Sequence, residues 1–146
     1  MEFVEALRDV KDINAMKKVL KKHAERDYVL FVLGINTGLK LTEMLELQVG
    51  NVLNDKGECE QFLLIGKNES CNCKEVYVNA QVKKAVLHYV KENNLQREDY
   101  LFASAKTKLP ISRQQAYRVI HDAAIEAGIK GKIGTNSMRK TFGYHA

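Results

Sequence analysis

The sequence predicts a mostly helical α+β fold with a small three-stranded antiparallel sheet inserted between two groups of helices. Apolar residues recur at helical spacing near the start of the chain and again from residue 80 onward. Between residues 49 and 79 the spacing changes to that of short strands separated by turns. The length of 146 residues fits one domain, so we expect a single domain over residues 1–146.

Three helices are predicted before the sheet. Asp12 can cap the first helix, whose apolar side chains share one face. The second helix, residues 26–36, is nearly all apolar and should form the buried centre of the fold. Gly38 can end it, because glycine tolerates the positive φ found at helix C-termini. Residues 42–47 are expected to form a short third helix.

The middle of the chain predicts strands at residues 49–53, 61–65 and 75–79. These segments are short, contain branched apolar residues and are separated by turn-forming residues, such as those at 54–57. Three such strands are typical of a small antiparallel sheet.

Helical spacing returns at residues 80–93 and continues towards the end of the chain. Ser112 and Gln115 have the spacing of a capping box, and Gly128 can close the helix that follows. Residues 135–136, a threonine and an asparagine, offer a cap for a last helix.

Positive charge is concentrated in the last third of the chain. The whole sequence contains 23 Lys and Arg against 18 Asp and Glu, whereas residues 104–146 hold eight of the basic residues and only two of the acidic ones. This asymmetry fits a surface that meets a polyanion such as nucleic acid. It fits a solvated basic segment equally well.

The composition disfavours several classes of protein. No segment approaches the ~18 consecutive apolar residues that span a bilayer. The acidic start of the chain lacks the pattern of a signal peptide, so we expect a cytoplasmic location without membrane contact. Cys59, Cys71 and Cys73 lack the four-ligand spacing of a zinc site. We therefore expect free thiols, no bound metal and no cofactor.

Two segments carry the strongest functional signal. Residues 36–47 read NTGLKLTEMLEL, and residues 136–142 read NSMRKTF. With the helices and sheet between them, the chain resembles the catalytic domain of the tyrosine recombinases, the phage-type integrases, over about residues 10–146. In that family the first box reads Thr-Gly-Leu-Arg-x-x-Glu-Leu, and the second reads His-x-Leu-Arg-His/Lys-Ser/Thr-Phe.

The resemblance implies a reaction that uses neither a metal nor an external energy source. A tyrosine oxygen attacks a DNA phosphodiester and leaves a 3′-phosphotyrosyl link and a free 5′-hydroxyl, while protein cations stabilise the five-coordinate phosphorus. Two arginines suit this task because each guanidinium offers a flat pair of donors to phosphate oxygens. A lysine from the β-hairpin and a histidine assist the proton transfers.

By position in the two boxes and the hairpin, the resemblance assigns four candidate catalytic residues. Arg139 matches the second arginine of the family. Lys40 replaces the first arginine and keeps its charge but not its two-pronged geometry. Asn136 replaces a histidine and cannot shuttle a proton near neutral pH. Lys67 is the candidate hairpin lysine, and Lys74 is the alternative.

The nucleophile is not expected among these residues. In the family it lies some tens of residues beyond the second arginine, whereas this sequence ends at Ala146. Tyr144 lies only five residues after Arg139 on the same predicted helix, so we expect it to pack there and not to attack DNA. We therefore expect a partial catalytic domain, truncated before the nucleophile and inactive in strand cleavage by itself.

The resemblance also implies a DNA-binding surface. Arg113, Tyr117 and Arg118 occupy the helix that approaches the DNA groove in this family, and with Lys140 in the second box they are the expected DNA-binding residues. His121, on the same helix, is expected to be a surface or half-buried residue. The implied partner is double-stranded DNA, and assembly of several copies on DNA stays open.

Three functions remain to be compared. The first is a site-specific recombinase or integrase domain that acts in DNA integration and recombination, in a phage or another mobile element. The second is a DNA-binding regulator or remnant of recombinase descent that breaks no strands, which Lys40, Asn136 and the missing nucleophile favour. An unrelated α+β protein that binds RNA or an acidic protein is a weaker third.

Overall fold

Seven helices and two strands occur in the described part of this computed structural model, which comprises residues 7, 9–65, 74–129, 131 and 133–145. In chain order they are α1 (Val10–His23), α2 (Glu25–Thr37), α3 (Leu41–Leu45), α4 (Val49–Val52), β1 (Phe62–Ile65), β2 (Lys74–Tyr77), α5 (Ala80–Glu92), α6 (Arg113–Glu126) and α7 (Thr135–His145). The predicted α+β class is confirmed. Over these ranges, no helix has the length and apolar character needed to cross a membrane.

Helix α2 forms the centre of the core, as its apolar sequence predicts. Residues 29–33 are each at most 2% exposed, and α1, α5 and α7 pack against this helix. Gly38 follows the last turn with φ of +69°, and its N–H donates to the Gly34 carbonyl oxygen at 3.0 Å. The predicted glycine stop is confirmed.

Helix α7 can lie close against α2 because two glycines leave room for its side chains. A Cβ atom at Gly34 would lie 2.7 Å from the sulfur of Met138, which is 1% exposed. A Cβ atom at Gly38 would overlap the ring of Phe142. Larger residues at either position would push the helices apart, so Gly38 of the first box and Gly34 just before that box leave room for the second box.

Buried hydroxyl groups fix α7 in this position. Thr141 Oγ1 donates to the Ser137 carbonyl oxygen at 2.6 Å and accepts the Leu7 N–H at 2.8 Å. Ser137 Oγ accepts the Gly134 N–H at 3.0 Å. Leaving a buried polar group without a partner costs about 1–3 kcal/mol, so these bonds hold both ends of the second box. Arg139 lies between the two buried hydroxyls in sequence and is itself exposed.

The predicted three-stranded sheet is wrong in its first strand. In the described residues the sheet consists of β1 and β2, paired antiparallel, and the predicted strand 49–53 is replaced by helix α4. Asn51 Oδ1 accepts the Gln48 N–H at 2.8 Å and caps this helix. Val49 and Val52 are both buried, at the three-residue spacing of a helix face. Capping and burial thus outweigh the strand preference of valine.

The helix caps predicted from the sequence are partly confirmed. Ser112 Oγ accepts the Gln115 N–H at 3.0 Å and caps α6 as predicted. The cap of α1 is Asp9 and not Asp12, and its carboxylate accepts the Lys11 N–H at 2.9 Å. Asp12 lies in the first turn instead, where a negative charge still interacts favourably with the helix dipole.

Replacing Gly38 with alanine should lower the free energy of unfolding by about 2–5 kcal/mol. The positive φ at this position is unfavourable for alanine, and the new Cβ would overlap the ring of Phe142. Gly57 is the matched control, since its φ is +78° but no atom lies within 4 Å of an added Cβ. Gly57→Ala should therefore lose only about 1–2 kcal/mol. Urea denaturation measures both losses, and equal values would contradict the close α2–α7 contact.

Candidate functional site

Lys40 and Arg139 line the same cleft, although most of the chain lies between them. The cleft has a volume of about 940 Å³ and lies between the start of α3, one face of α6 and the middle of α7. We call it the basic cleft. Its lining residues are Lys40, Leu41, Thr42, Arg113, Gln114, Tyr117, Arg118, His121 and Arg139.

The backbone around Lys40 is held by its own box. The Lys40 N–H donates to Glu43 Oε1 at 2.8 Å, and the Lys40 carbonyl oxygen accepts the Met44 N–H at 3.0 Å. Met44 is buried, whereas the Lys40 side chain is exposed. The glutamate of the first box therefore fixes the start of α3, while α7 brings Arg139 to the same cleft.

One face of α6 forms the opposite wall of the basic cleft. Gln114, Tyr117, Arg118 and His121 follow the spacing at which residues share one side of a helix. Other residues of α6 are buried in the core, namely Ala116, Ile120, Ala123 and Ala124. Burial of that second face fixes the rotation of the helix, and thereby which side chains reach the cleft.

Two rings of this wall are stacked on each other. The centroids of Tyr117 and His121 are 5.4 Å apart, and their planes differ by 11°. His121 Nδ1 also lies 3.4 Å from the carbonyl oxygen of Ile133, which precedes α7. The histidine thus connects α6 with the segment that leads into the second box.

The basic cleft is strongly positive. Lys40, Arg113, Arg118 and Arg139 are all exposed, and no carboxylate is among the described residues that line it. None of these four cations forms an ion pair with another described residue. Because like charges meet there and no described carboxylate pairs with them, the cleft attracts an anion of matching extent, such as a phosphate backbone.

A second cavity, of about 750 Å³, has a different character. It contains none of the predicted site residues, and its charges are mixed. Its titratable lining residues are Glu25, Arg26, His88, Tyr89, Glu92, Asp99, Tyr100 and Lys108. Three carboxylates oppose its cations, so this cavity lacks the positive potential of the basic cleft.

The structure brings together two of the four candidate catalytic residues, Lys40 and Arg139. Asn136 lies in the first turn of α7, but its side chain is outside the described part of the structure. Lys67 lies outside the described residues altogether, and Lys74 begins β2. The catalytic roles of these residues stay predictions.

Three of the four candidate DNA-binding residues, Arg113, Tyr117 and Arg118, line the basic cleft. Lys140 is exposed on α7 but is not among the lining residues. Tyr144 lies on α7, as predicted. Their contacts with DNA stay predictions as well.

The place of His121 in the basic cleft is not predicted from the sequence. The residue is half-buried, as expected, but it also lines the basic cleft. The spacing from Tyr117 to His121 was a usable signal, since side chains four residues apart meet on a helix. Nothing in the sequence indicated that Ile133 would lie beside its ring.

Comparison with known proteins identifies the family. The family model described as "Phage integrase family" matches residues 7–146. The chain belongs to this family. The "Probable integrase/recombinase YoeC" of Bacillus subtilis (strain 168) is 35% identical to this phage integrase family member over 145 residues, which cover 99% of the chain and 76% of that protein. Membership confirms the resemblance drawn from the two boxes.

Solved structures confirm the fold of this integrase-family chain. XerA recombinase matches 97% of the chain with a TM-score of 0.77 at 19% identity. Lambda integrase (residues 75–356) bound to DNA also matches 97%, with a TM-score of 0.71 at 11% identity. The chain spans 50% of the XerA chain and 51% of the lambda integrase chain.

The cations of the basic cleft should contribute little to stability, because they are exposed and pair with no carboxylate among the described residues. We expect Arg118→Ala to change the free energy of unfolding by no more than about 0.5 kcal/mol. Arg26→Ala is the contrasting control, because Arg26 pairs with buried Asp27 at 3.0 Å and also donates to the Ala103 carbonyl oxygen. It should lose about 2–4 kcal/mol. Thermal or urea unfolding measures both losses. A larger loss for Arg118→Ala than for Arg26→Ala would contradict the expectation that the cleft cations contribute little to stability.

Proposed function

We propose that this phage integrase family protein takes part in site-specific DNA recombination, and that its basic cleft holds the DNA phosphate at which a strand is cut. The convergence of Lys40 and Arg139 in one cleft is the observation that carries the proposal. The names of similar proteins support it, since YoeC is a probable integrase/recombinase and lambda integrase was solved bound to DNA.

In this proposal each site residue has a distinct task at the phosphate. Arg139 offers two guanidinium donors to two phosphate oxygens, while Lys40 supplies a single compact charge. As a tyrosine oxygen forms its bond to phosphorus, the bond to the 5′-oxygen breaks and negative charge builds on the equatorial oxygens, which these cations stabilise. Asn136 donates a hydrogen bond to the phosphate, and Lys67 gives a proton to the departing 5′-oxygen.

The surface around the phosphate positions the duplex. Arg113, Tyr117, Arg118 and Lys140 contact the DNA backbone in this proposal. Contacts of this kind give affinity and orientation but little sequence information. We therefore expect weak, salt-sensitive and largely non-specific binding to double-stranded DNA in the cytoplasm, with assembly of several copies on the DNA as a further step.

A second function, DNA binding without strand cleavage, is favoured by two specific residues. Lys40 stands where the family has an arginine, and Asn136 stands where it has a histidine. The first change removes one of two phosphate donors, and the second removes a proton carrier. A regulator of recombinase descent would keep the charge of the cleft and lose the chemistry, as these replacements do.

DNA binding tests the role of the basic cleft. Lys40→Ala and Arg139→Ala should each weaken binding to a fluorescent duplex roughly tenfold, because each removes a cation–phosphate contact. Each should also reduce the slope of log affinity against log salt concentration by about 1. Lys84→Ala, an exposed lysine of α5 outside the cleft, is the matched control and should bind like the original protein. Equal losses in all three variants would contradict the assignment.

Covalent chemistry tests whether this chain cuts DNA by itself. A protein that cuts a strand traps a nicked suicide substrate as a 3′-phosphotyrosyl adduct, whereas a protein that only binds DNA does not. We expect no adduct from this chain, because Lys40 and Asn136 weaken phosphate activation and proton transfer. Denaturing gel electrophoresis with labelled DNA is the measurement, and a slowly migrating protein–DNA band would show that the chain itself cleaves.

A further inference from the structure

His121 is fixed in the wall of the basic cleft by two contacts. Its ring stacks on Tyr117, with centroids 5.4 Å apart, and its Nδ1 lies 3.4 Å from the Ile133 carbonyl oxygen. The residue is half-buried and lines the cleft together with Lys40 and Arg139. The imidazole is therefore held beside the cations that would meet a phosphate.

The contact with Ile133 determines which ring nitrogen is available. A carbonyl oxygen only accepts hydrogen bonds, so Nδ1 carries the proton that it donates there. The other nitrogen, Nε2, makes no hydrogen bond within the described part of the chain. In a neutral ring Nε2 is an acceptor, but in a protonated ring it is a donor.

His121 differs from the cations around it. Lys and Arg stay charged throughout the neutral pH range, whereas histidine is the side chain whose charge changes between about pH 5 and 8. Among the described residues, the charged or titratable groups that line the cleft with the ring are Arg113, Tyr117 and Arg118 on α6, Lys40 at the start of α3 and Arg139 on α7, and Asp122 follows His121 on α6.

Among the described residues, no carboxylate lies within ion-pair distance of the His121 ring. Asp122 is the next residue on the helix and is exposed, and adjacent helical residues do not face each other. A bound phosphate, in contrast, favours the charged ring over the neutral one. DNA binding in the cleft and protonation of the ring therefore reinforce each other.

We infer that His121 is a protonation-dependent phosphate ligand of the basic cleft: its Nδ1–H stays on Ile133, and the Nε2–H of the charged ring donates to a phosphate oxygen of the bound DNA. The inference rests on the proposed function, since it needs DNA in this cleft. It supplies a titratable group to a site in which the histidine of the second box is replaced by Asn136. His121 acts here in binding, and no bond is made or broken through it.

The experiment measures duplex affinity of the full chain at about pH 6 and about pH 8, the range in which histidine changes charge. The original protein should bind roughly tenfold more tightly at the lower pH, and His121→Gln should lose most of that difference. His23→Gln is the control, because His23 pairs with Glu126 at 2.7 Å outside the cleft. It should keep the full pH dependence.

The outcomes separate this inference from the proposed function. If His121→Gln keeps the pH dependence of the original protein, the inference is wrong while the DNA-binding function stands. If no variant binds DNA at either pH, both are wrong. Calorimetric titration of the unmodified protein in buffers of different ionisation enthalpy gives a readout that does not depend on the variant folding. It should show proton uptake near neutral pH, and no uptake would overturn the inference.

Discussion

The close contact between α7 and α2 is the constraint on which the functional cleft depends. Gly34 and Gly38 allow Met138 and Phe142 to approach the backbone of the central helix. The same glycine that admits Phe142 also ends α2 with a positive φ and turns the chain towards Lys40. One residue therefore serves both the helix stop and the helix contact.

The cleft has a firmly held backbone and exposed positive side chains. Buried hydroxyls of Ser137 and Thr141 and the apolar face of α6 fix the backbone. The exposed cations on top of this support have no ion-pair partners among the described residues and repel one another. Such an arrangement adds nothing to stability in the absence of an anion, and it is the pattern expected of a surface built to meet phosphate.

The sequence determines local structure here more completely than it determines the site. Capping by Ser112 and the stop at Gly38 follow from properties of single residues, and both were predictable. Helix α4, where the sequence predicts a strand at residues 49–53, was not predictable, because the burial of Val49 and the hydrogen bond from its N–H to the Asp99 carbonyl oxygen are tertiary effects. Local propensity cannot anticipate such contacts.

The site was predictable only through the family resemblance. No property of Lys40 or Arg139 alone indicates that they meet, since each is an exposed cation on a helix or at its start. The order and spacing of the two boxes supplied that information. His121 lies outside both boxes, and its place in the cleft depends on the rotation of α6, so neither periodicity nor resemblance assigned it a role.

A double-mutant cycle in DNA binding tests most directly whether Lys40 and Arg139 contact the same phosphate. The measured quantities are the affinities of Lys40→Ala, Arg139→Ala and the combined variant for one duplex. If both side chains hold the same phosphate, the combined loss should differ from the sum of the single losses by at least about 0.5 kcal/mol. Losses that add to within about 0.3 kcal/mol would show that the two cations act on separate phosphates, which would contradict a shared phosphate.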